Sequence, residues 1–242
     1  MNRRRLDRAV LAITAVVAAA LLLWGADRFA HSSAESLVAR ELQRLTGVDE
    51  PPEVELSGEW FLLQALTGRY DRVEVGLRGA SSGPLRVERL DARLSRVRLP
   101  PSELLRRDPG VLGVESATSR TVLTYADLDR YLDLTGRPFT VLPGSAPEQV
   151  TISGRAQVLG REVEVSADAV LGAESGALTV TPVRVETGTE LDGAARVLLR
   201  QRLTFVVPLD PLPFGQQVTD VTAGDDGVVV ETESGGLALQ PR

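Results

Sequence analysis

RVEVGLRGASSGPLRVERLDARLSRVRL, residues 72–99, is the stretch that decides the fold. Its apolar and polar side chains alternate, and this period of two predicts antiparallel strands with one dry face and one wet face. Ser-Ser-Gly-Pro at residues 81–84 supplies the turn between two strands. The apolar phase of the second strand changes twice, from Leu85 and Val87 to Leu90, Ala92 and Leu94, and then to Val97 and Leu99. Each change predicts a bulge or bend that curves the sheet, and separate short strands are the alternative.

The elements around this hairpin predict an α+β fold. Residues 33–46 form the best predicted helix, because apolar side chains recur at 3.6-residue spacing and Gly47 ends the pattern. Segments in which apolar and polar side chains alternate occur again in residues 150–185, and a last hairpin is predicted at residues 218–231. Short helices are predicted at residues 60–66 and 194–204, a helical turn at 102–107, and a helix after the capping box of Thr124 and Asp127. We expect a long N-terminal helix packed in a strongly curved antiparallel sheet, preceded by a membrane helix.

The N-terminus predicts that membrane helix. An arginine cluster within residues 3–8 precedes the apolar run Ala9–Ala26. A helix of this length extends ~27 Å, which with its flanks is enough for a bilayer core of ~30 Å. We expect residues 1–29 to be a single-pass transmembrane segment or signal anchor and residues 30–242 to be an extracytoplasmic domain, because an arginine excess marks the cytoplasmic side. A cleavable signal peptide, with secretion of the mature chain, is the alternative.

The composition removes several kinds of site. The chain has no Cys and no Lys, and it has one His, so its 27 basic side chains are all Arg. Cysteine-ligated metals, thiol nucleophiles and a P-loop are therefore excluded, and a catalytic triad would need His31, which lies beside the apolar run. Residues 1–29 hold five Arg and two Asp, a charge of +3, which leaves −9 on residues 30–242 from a total of −6. An acidic domain argues against nucleic acid as a partner.

Carboxylate pairs are the remaining candidates for catalysis. Asp127 with Asp129, and Glu162 with Glu164, would suit glycoside hydrolysis if two carboxyl groups faced each other across a cleft. Both pairs fall on predicted exposed faces among arginines, so solvated surface charge is the favoured interpretation. We predict no catalytic residue, no cofactor and no metal, and a hydrolase stays an alternative hypothesis.

The apolar segment Trp60–Leu66 concentrates two of the few aromatic residues. One interpretation is core packing. The other is one end of an apolar cavity, with aromatic rings near the mouth and with Arg69 and Tyr70 as candidates for contacting a phosphate headgroup. A second cluster with the same two interpretations consists of Phe205, Leu212 and Phe214.

Three motifs follow one another along the chain: WFLLQALTGRYDRVEV (Trp60–Val75), LTYADLDRYL (Leu123–Leu132) and PLDPLPFGQQVTDVTAGDDGVVVE (Pro208–Glu231). In this order they resemble the LmeA-like phospholipid-binding family of actinobacterial envelopes, over about residues 31–240. Family members often begin the first motif with Pro-Phe, where this chain has Trp-Phe. The resemblance implies an exported, non-enzymatic protein that binds phospholipids, inositol phospholipids in the best-known case, and supports assembly of mannose-containing lipoglycans. It also implies a tubular lipid-binding architecture, with a long helix held in a curved sheet.

The resulting hypothesis is a membrane-tethered, extracytoplasmic module that holds acyl chains between the amphipathic helix and the concave face of the sheet. The predicted apolar lining is Leu37, Val38, Leu42, Trp60, Phe61, Leu63, Leu66, Val73, Val75, Leu77, Val163, Val165, Phe205 and Phe214. Phospholipid and the membrane are the predicted partners. The alternative is a structural or scaffolding envelope protein with the same fold and a packed core, which would act through its acidic surface.

Overall fold

The computed structural model describes residues 3–82, 85–98, 112–158, 160–174, 177–208 and 217–239, without the side chains of residues 3–13, 15, 45, 82, 112, 174 and 237–239. The predicted helical turn at residues 102–107 lies outside the described residues, as do Leu212 and Phe214.

The described chain contains four helices and eleven strands. The helices are α1 (Arg3–Thr46), α2 (Phe61–Thr67), α3 (Tyr125–Leu134) and α4 (Gly193–Leu203). The strands are β1 (Glu53–Ser57), β2 (Arg69–Ser82), β3 (Leu85–Arg98), β4 (Leu112–Thr124), β5 (Phe139–Pro143), β6 (Gln149–Val158), β7 (Arg161–Glu174), β8 (Ala177–Thr187), β9 (Phe205–Pro208), β10 (Gln217–Ala223) and β11 (Gly227–Leu239).

Antiparallel pairing arranges these strands in two sheets. The six-stranded sheet has the order β1-β2-β3-β4-β11-β10, and the five-stranded sheet has the order β5-β6-β7-β8-β9. The fold is α+β with an N-terminal helix and a strongly curved antiparallel sheet, as predicted. The second strand-rich half of the chain does not extend the first sheet, because β5 to β9 pair only with one another among the described strands.

A buried apolar cluster joins the two sheets to α3 and α4. It includes Leu123 from the six-stranded sheet and Ile152 from the five-stranded sheet, with Leu132 from α3 and Leu203 from α4. All four side chains are completely shielded from solvent. At roughly 25 cal/mol for each Å² of apolar surface removed from water, burial of this kind is the main term that holds the sheets together.

Strand β3 is one continuous strand that contains both predicted phase changes. Its buried side chains follow the three predicted sets, apart from Leu99, which lies outside the described residues, and Leu90, which is half-buried. The pairing register between β2 and β3 is the same before and after each phase change. Neither phase change is therefore a bulge that adds a residue to one of these two strands. Left-handed backbone accompanies them instead, at Arg96 (φ 50°) in β3 and at Gly79 (φ 65°) in β2. Glycine suits its position because it adopts positive φ without a Cβ clash.

Helix α1 joins two segments that the sequence predicts separately. It runs without interruption from Arg3 to Thr46, so the predicted membrane helix and the helix at residues 33–46 are continuous. It contacts mainly β1 and α2, at the edge of the six-stranded sheet, and its Leu37 and Val38 are exposed. The predicted packing of this helix inside the curved sheet is therefore not observed among the described residues. Among the residues described, no helix is both long enough and apolar enough to cross a membrane.

The other predicted helices form with small differences. The capping box is confirmed, because the Thr124 hydroxyl accepts a hydrogen bond from the Asp127 backbone N–H at 3.2 Å and donates to the Asp127 carboxylate at 2.6 Å. Helix α4 has the predicted position, but its inward side chains are Ala195, Leu199 and Leu203. The exposed side chains of α4 include Val197 and Leu198.

Candidate functional site

One face of the six-stranded sheet carries a row of apolar side chains that is not fully covered. The strand register places Val54 opposite Val75, and Val75 opposite Ala92, so these side chains share a face. We define the apolar wall as Val54, Val73, Val75, Leu77 and Leu90, which lie on this face and are half-buried. Aliphatic side chains in the middle of a sheet are usually fully buried. Because those of the wall are only half-buried, apolar surface remains available to a ligand.

Four hydroxyl side chains continue the same face on β4 and β11. We call Ser119, Thr121, Thr232 and Ser234 the hydroxyl band, and all four are buried. The Ser119 and Thr232 hydroxyl oxygens lie 2.7 Å apart, within hydrogen-bond distance. The hydroxyls of Thr121 and Ser234 have no hydrogen-bond partner among the described residues. The sequence analysis did not identify this band, although the alternation in Ser119-Arg120-Thr121 and Thr232-Glu233-Ser234 was the available signal.

Helix α2 lies beside the wall and exposes most of its apolar side chains. Trp60, at its N-cap, is 52% exposed, Leu63 is 60% exposed and Leu66 is 77% exposed. Phe61 points the other way, toward the small buried cluster of Tyr70, Leu94, Val97, Val114 and Ala117. The helix ends at Gly68, which has left-handed backbone. Both interpretations of Trp60–Leu66 therefore hold in part, because Phe61 packs in the core and several other apolar side chains are exposed.

A ladder of polar side chains on α1 holds β1 and α2 in place. Asp27, His31 and Glu35 are spaced four residues apart and so lie on one helix face. The Asp27 carboxylate accepts a hydrogen bond of 2.7 Å from the Leu62 backbone N–H at the start of α2. His31 Nε2 lies 2.7 Å from the Leu56 carbonyl oxygen, and Glu35 accepts from the Leu56 N–H at 3.0 Å.

The ladder explains why β1 tolerates its place at the sheet edge. An edge strand has unpaired N–H and C=O groups, and those of Leu56 bond instead to His31 and Glu35. The His31 ring also stacks on Phe61, with 5.4 Å between ring centroids. The single histidine of the chain is therefore a packing and hydrogen-bonding residue that joins α1, β1 and α2.

Removing the Asp27 carboxylate is expected to loosen α2. Asp27→Ala leaves the Leu62 N–H without its acceptor, which costs about 1–3 kcal/mol for a group shielded from water. Because α2 has no fully buried side chain, this loss falls mainly on α2 itself. Amide hydrogen exchange over residues 60–67 should become faster, while exchange in β7 stays unchanged. Asp27→Asn retains an acceptor oxygen and should restore most of the protection; equal exchange in both variants would contradict this role.

The two headgroup candidates have different surroundings. Arg69 is exposed at the first position of β2, immediately after α2. Tyr70 is buried and packs against Phe61 at 6.4 Å between ring centroids, and burial raises the pKa of its phenol above the usual value. Arg69 therefore has its guanidinium in solvent beside α2, whereas the Tyr70 ring belongs mostly to the packed cluster.

The remaining predicted lining residues lie in several places. Leu37 and Val38 are exposed on α1, and Leu42 is half-buried there. Val163, Val165 and Phe205 are buried on the five-stranded sheet, and Val165 and Phe205 belong to its packed cluster with α4. The structure thus places Val73, Val75 and Leu77 on the six-stranded sheet, with Phe61 of α2 packed against that sheet, and it places Val163, Val165 and Phe205 on the other sheet.

The opposite face of the six-stranded sheet is charged. Arg93 donates to Glu74 at 2.8 Å, and Arg120 donates to Glu231 at 2.7 Å. A groove of about 850 Å³ crosses the sheet, and most residues of its lining are charged, among them Glu55 and Glu233. The same lining also includes Val54 and Val75 of the wall. Such a lining does not suit acyl chains, because ionised groups lose hydration when hydrocarbon covers them.

The carboxylates weighed for catalysis have structural partners. The Asp127 carboxylate accepts a hydrogen bond from the hydroxyl of Thr124, the N-cap of α3, and Asp129 accepts a hydrogen bond of 2.7 Å from the Val141 backbone N–H. Burial is the main cause that raises the pKa of Asp129. Glu162 and Glu164 are exposed, and each lies 3.8 Å from Arg155. These contacts give each carboxylate a role in the fold or on the surface.

This combination of a curved sheet, a half-covered apolar wall and an exposed apolar helix is typical of proteins that bind apolar ligands or surfaces. The family model described as LmeA-like phospholipid-binding matches residues 25–233, and the chain belongs to that family. The resemblance of the three sequence motifs is thereby confirmed, and family membership supports lipid binding. Neither the curated proteins nor the solved structures include a match to this chain.

Proposed function

We propose that this protein is a membrane-tethered, extracytoplasmic phospholipid-binding protein that holds acyl chains against the apolar wall. The observation that carries the proposal is the wall itself, because its half-buried aliphatic side chains lie in a chain of a phospholipid-binding family. Helix α2, which directly precedes β2, exposes further apolar side chains. Each methylene of an acyl chain that leaves water contributes about 0.8 kcal/mol, so binding needs few polar contacts.

The polar end of the lipid has two candidate partners beside the wall. Arg69 offers a planar guanidinium in solvent, whose paired N–H donors suit two oxygens of a phosphate. The unpartnered hydroxyls of Thr121 and Ser234 offer hydrogen bonds on the same face as the wall. Inositol phospholipid, whose headgroup carries many hydroxyl groups, is the species we propose from the family resemblance.

The tether and location are proposed from the sequence. The arginine cluster before Ala9–Ala26 supports insertion with the N-terminus in the cytoplasm, which places residues 30–242 outside it. A domain charge of −9 does not favour attraction of the whole domain to anionic headgroups, so the N-terminal helix supplies membrane attachment and apolar burial supplies lipid binding. Support of lipoglycan assembly in the envelope is the biological role we propose, and this role needs no catalytic residue.

The test is to identify what the purified full chain carries. Native mass spectrometry after delipidating washes, with lipid extraction of the same sample, should find phospholipid at about one molecule for each chain. Addition of phosphatidylinositol should displace other phospholipids from the complex. Recovery of a folded chain with no phospholipid, before and after this addition, would contradict the proposal and favour the scaffolding alternative.

A further inference from the structure

Helix α2 carries the densest exposed apolar surface of the described extracytoplasmic residues. Within seven residues, Trp60, Leu62, Leu63 and Leu66 each expose between 40% and 77% of their surface. Other exposed aliphatic side chains of the domain, such as Leu142 and Val183, occur singly on strands, and α4 exposes only a neighbouring pair. A cluster of this kind needs a partner, because single exposed apolar residues are ordinary but contiguous ones are not.

The position of α2 identifies the partner. The Leu62 N–H at the start of α2 donates to Asp27, and Asp27 is the residue that follows the apolar run Ala9–Ala26. If that run crosses the bilayer, Asp27 lies at the level of the headgroups, and its hydrogen bond holds α2 at the same level. Trp24, one turn before Asp27, is also exposed. Tryptophan prefers this interfacial depth because its ring is apolar and its N–H is polar.

Charge at the two ends of α2 fits a phospholipid surface. Arg28 follows Asp27 beside the start of α2, and Arg69 follows its end at Gly68. Both side chains are exposed, and neither forms a salt bridge with another described residue. Two arginines that flank an apolar helix can contact phosphates while the apolar side chains enter the acyl region, an arrangement typical of interfacial helices.

We propose that the exposed face of α2 inserts into the outer leaflet of the bilayer that anchors the chain, and that it forms the entrance to the apolar wall. The proposal rests on the proposed tether. Strand β2 begins directly after α2, and Val73 of the wall lies five residues beyond Gly68, roughly 17 Å along an extended strand. A lipid that leaves the leaflet at α2 would therefore reach the wall within a few residues of β2.

The two tryptophans of the chain allow a direct test. The full chain is reconstituted in vesicles of phosphatidylcholine and phosphatidylglycerol that carry bromine near the headgroup or near the acyl terminus. Trp24→Phe leaves Trp60 as the sole emitter, and Trp60→Phe leaves Trp24. We expect shallow bromines to remove most of the Trp60 emission and deep bromines to remove little. Trp60 emission that no bromine quenches, while Trp24 is quenched, overturns the inference and leaves the tether standing.

Failure of the tether has a separate signature. If bromine quenches neither Trp24 nor Trp60, the N-terminal helix does not anchor the chain in the bilayer. That result overturns both the proposed tether and the inference. A control emitter, Leu198→Trp in a chain without Trp24 and Trp60, lies on α4 and should stay unquenched. Strong quenching of this emitter also overturns the inference, because contact with the bilayer would then not be particular to α2.

A pair of double variants tests the apolar face itself. Leu63→Ser with Leu66→Ser, made in the Trp24→Phe chain, should shift Trp60 emission to the red and remove most of its quenching. Val197→Ser with Leu198→Ser removes two exposed apolar side chains from α4 and should leave Trp60 quenching unchanged. Unchanged quenching in the α2 variant, or an equal loss in both variants, overturns the inference.

Discussion

Val75→Asp is expected to reduce the phospholipid recovered with the purified chain by at least tenfold. Val75 lies near the middle of the apolar wall, between Val54 on β1 and Ala92 on β3. An ionised carboxylate there would lose its hydration against an acyl chain, and each tenfold loss of affinity needs only about 1.4 kcal/mol. Native mass spectrometry of detergent-purified chain, scored as phospholipid per protein, measures the effect.

The control for this variant is Val229→Asp. Val229 is also half-buried and also lies within the six-stranded sheet, but its side chain is on the opposite, charged face. The two variants introduce the same charge into the same sheet, so a general loss of stability should affect both alike. We expect Val229→Asp to retain its phospholipid. Equal lipid content in the two variants, with both chains folded by circular dichroism, would show that acyl chains do not bind at the wall.

The curved sheet could be predicted because its signal is local. The alternation in residues 72–99 and its two changes of phase depend only on neighbouring residues, and both reappear in the burial of β3. The α2 helix and the capping box of α3 are equally local, since Gly68 and Thr124 act within one helical turn. Family membership is likewise carried by short motifs, and residues 25–233 match as a whole.

The site could be predicted only in part, because its decisive features depend on strands that are distant in sequence. Val75 and Val165 both lie in strands that alternate in the same way, yet one is half-buried on the wall and the other is buried in a packed cluster. That difference depends on how two sheets pair, and no local pattern records it. The ladder formed by His31 and Glu35 has the same origin, because its partner is the backbone of Leu56 and has no sequence signature.

The Ser and Thr residues of the hydroxyl band show a further limit. These residue types are common on exposed strand faces, so their alternation alone does not indicate burial. Only the pairing of β4 with β11 brings Ser119 opposite Thr232. The exposed face of α2 could be anticipated from the unusual composition of Trp60–Leu66, but the sequence left core packing and lipid contact equally open.

Leu203→Ala is expected to lower the free energy of unfolding by about 2–5 kcal/mol, a large share of the 5–15 kcal/mol typical of a domain. Leu203 is completely buried at the end of α4, in the cluster that contains Phe205 and Val165. If this interior is packed with side chains, shortening Leu203 leaves a cavity that its neighbours cannot fill. Leu198→Ala on the same helix removes a side chain that is 41% exposed and should change stability by no more than about 0.5 kcal/mol.

Denaturant unfolding of both variants, monitored by circular dichroism, measures the change in stability. Together with the lipid content of the variants, it shows whether each sheet serves stability or lipid binding. Because the wall lies on the other sheet, Leu203→Ala should retain its phospholipid under conditions in which the chain stays folded. A cost below about 1 kcal/mol combined with loss of lipid would mean that Val165 and Phe205 surround an acyl chain, and the binding site would then lie between α4 and the five-stranded sheet. A large cost with lipid retained assigns the five-stranded sheet to stability and the six-stranded sheet to binding.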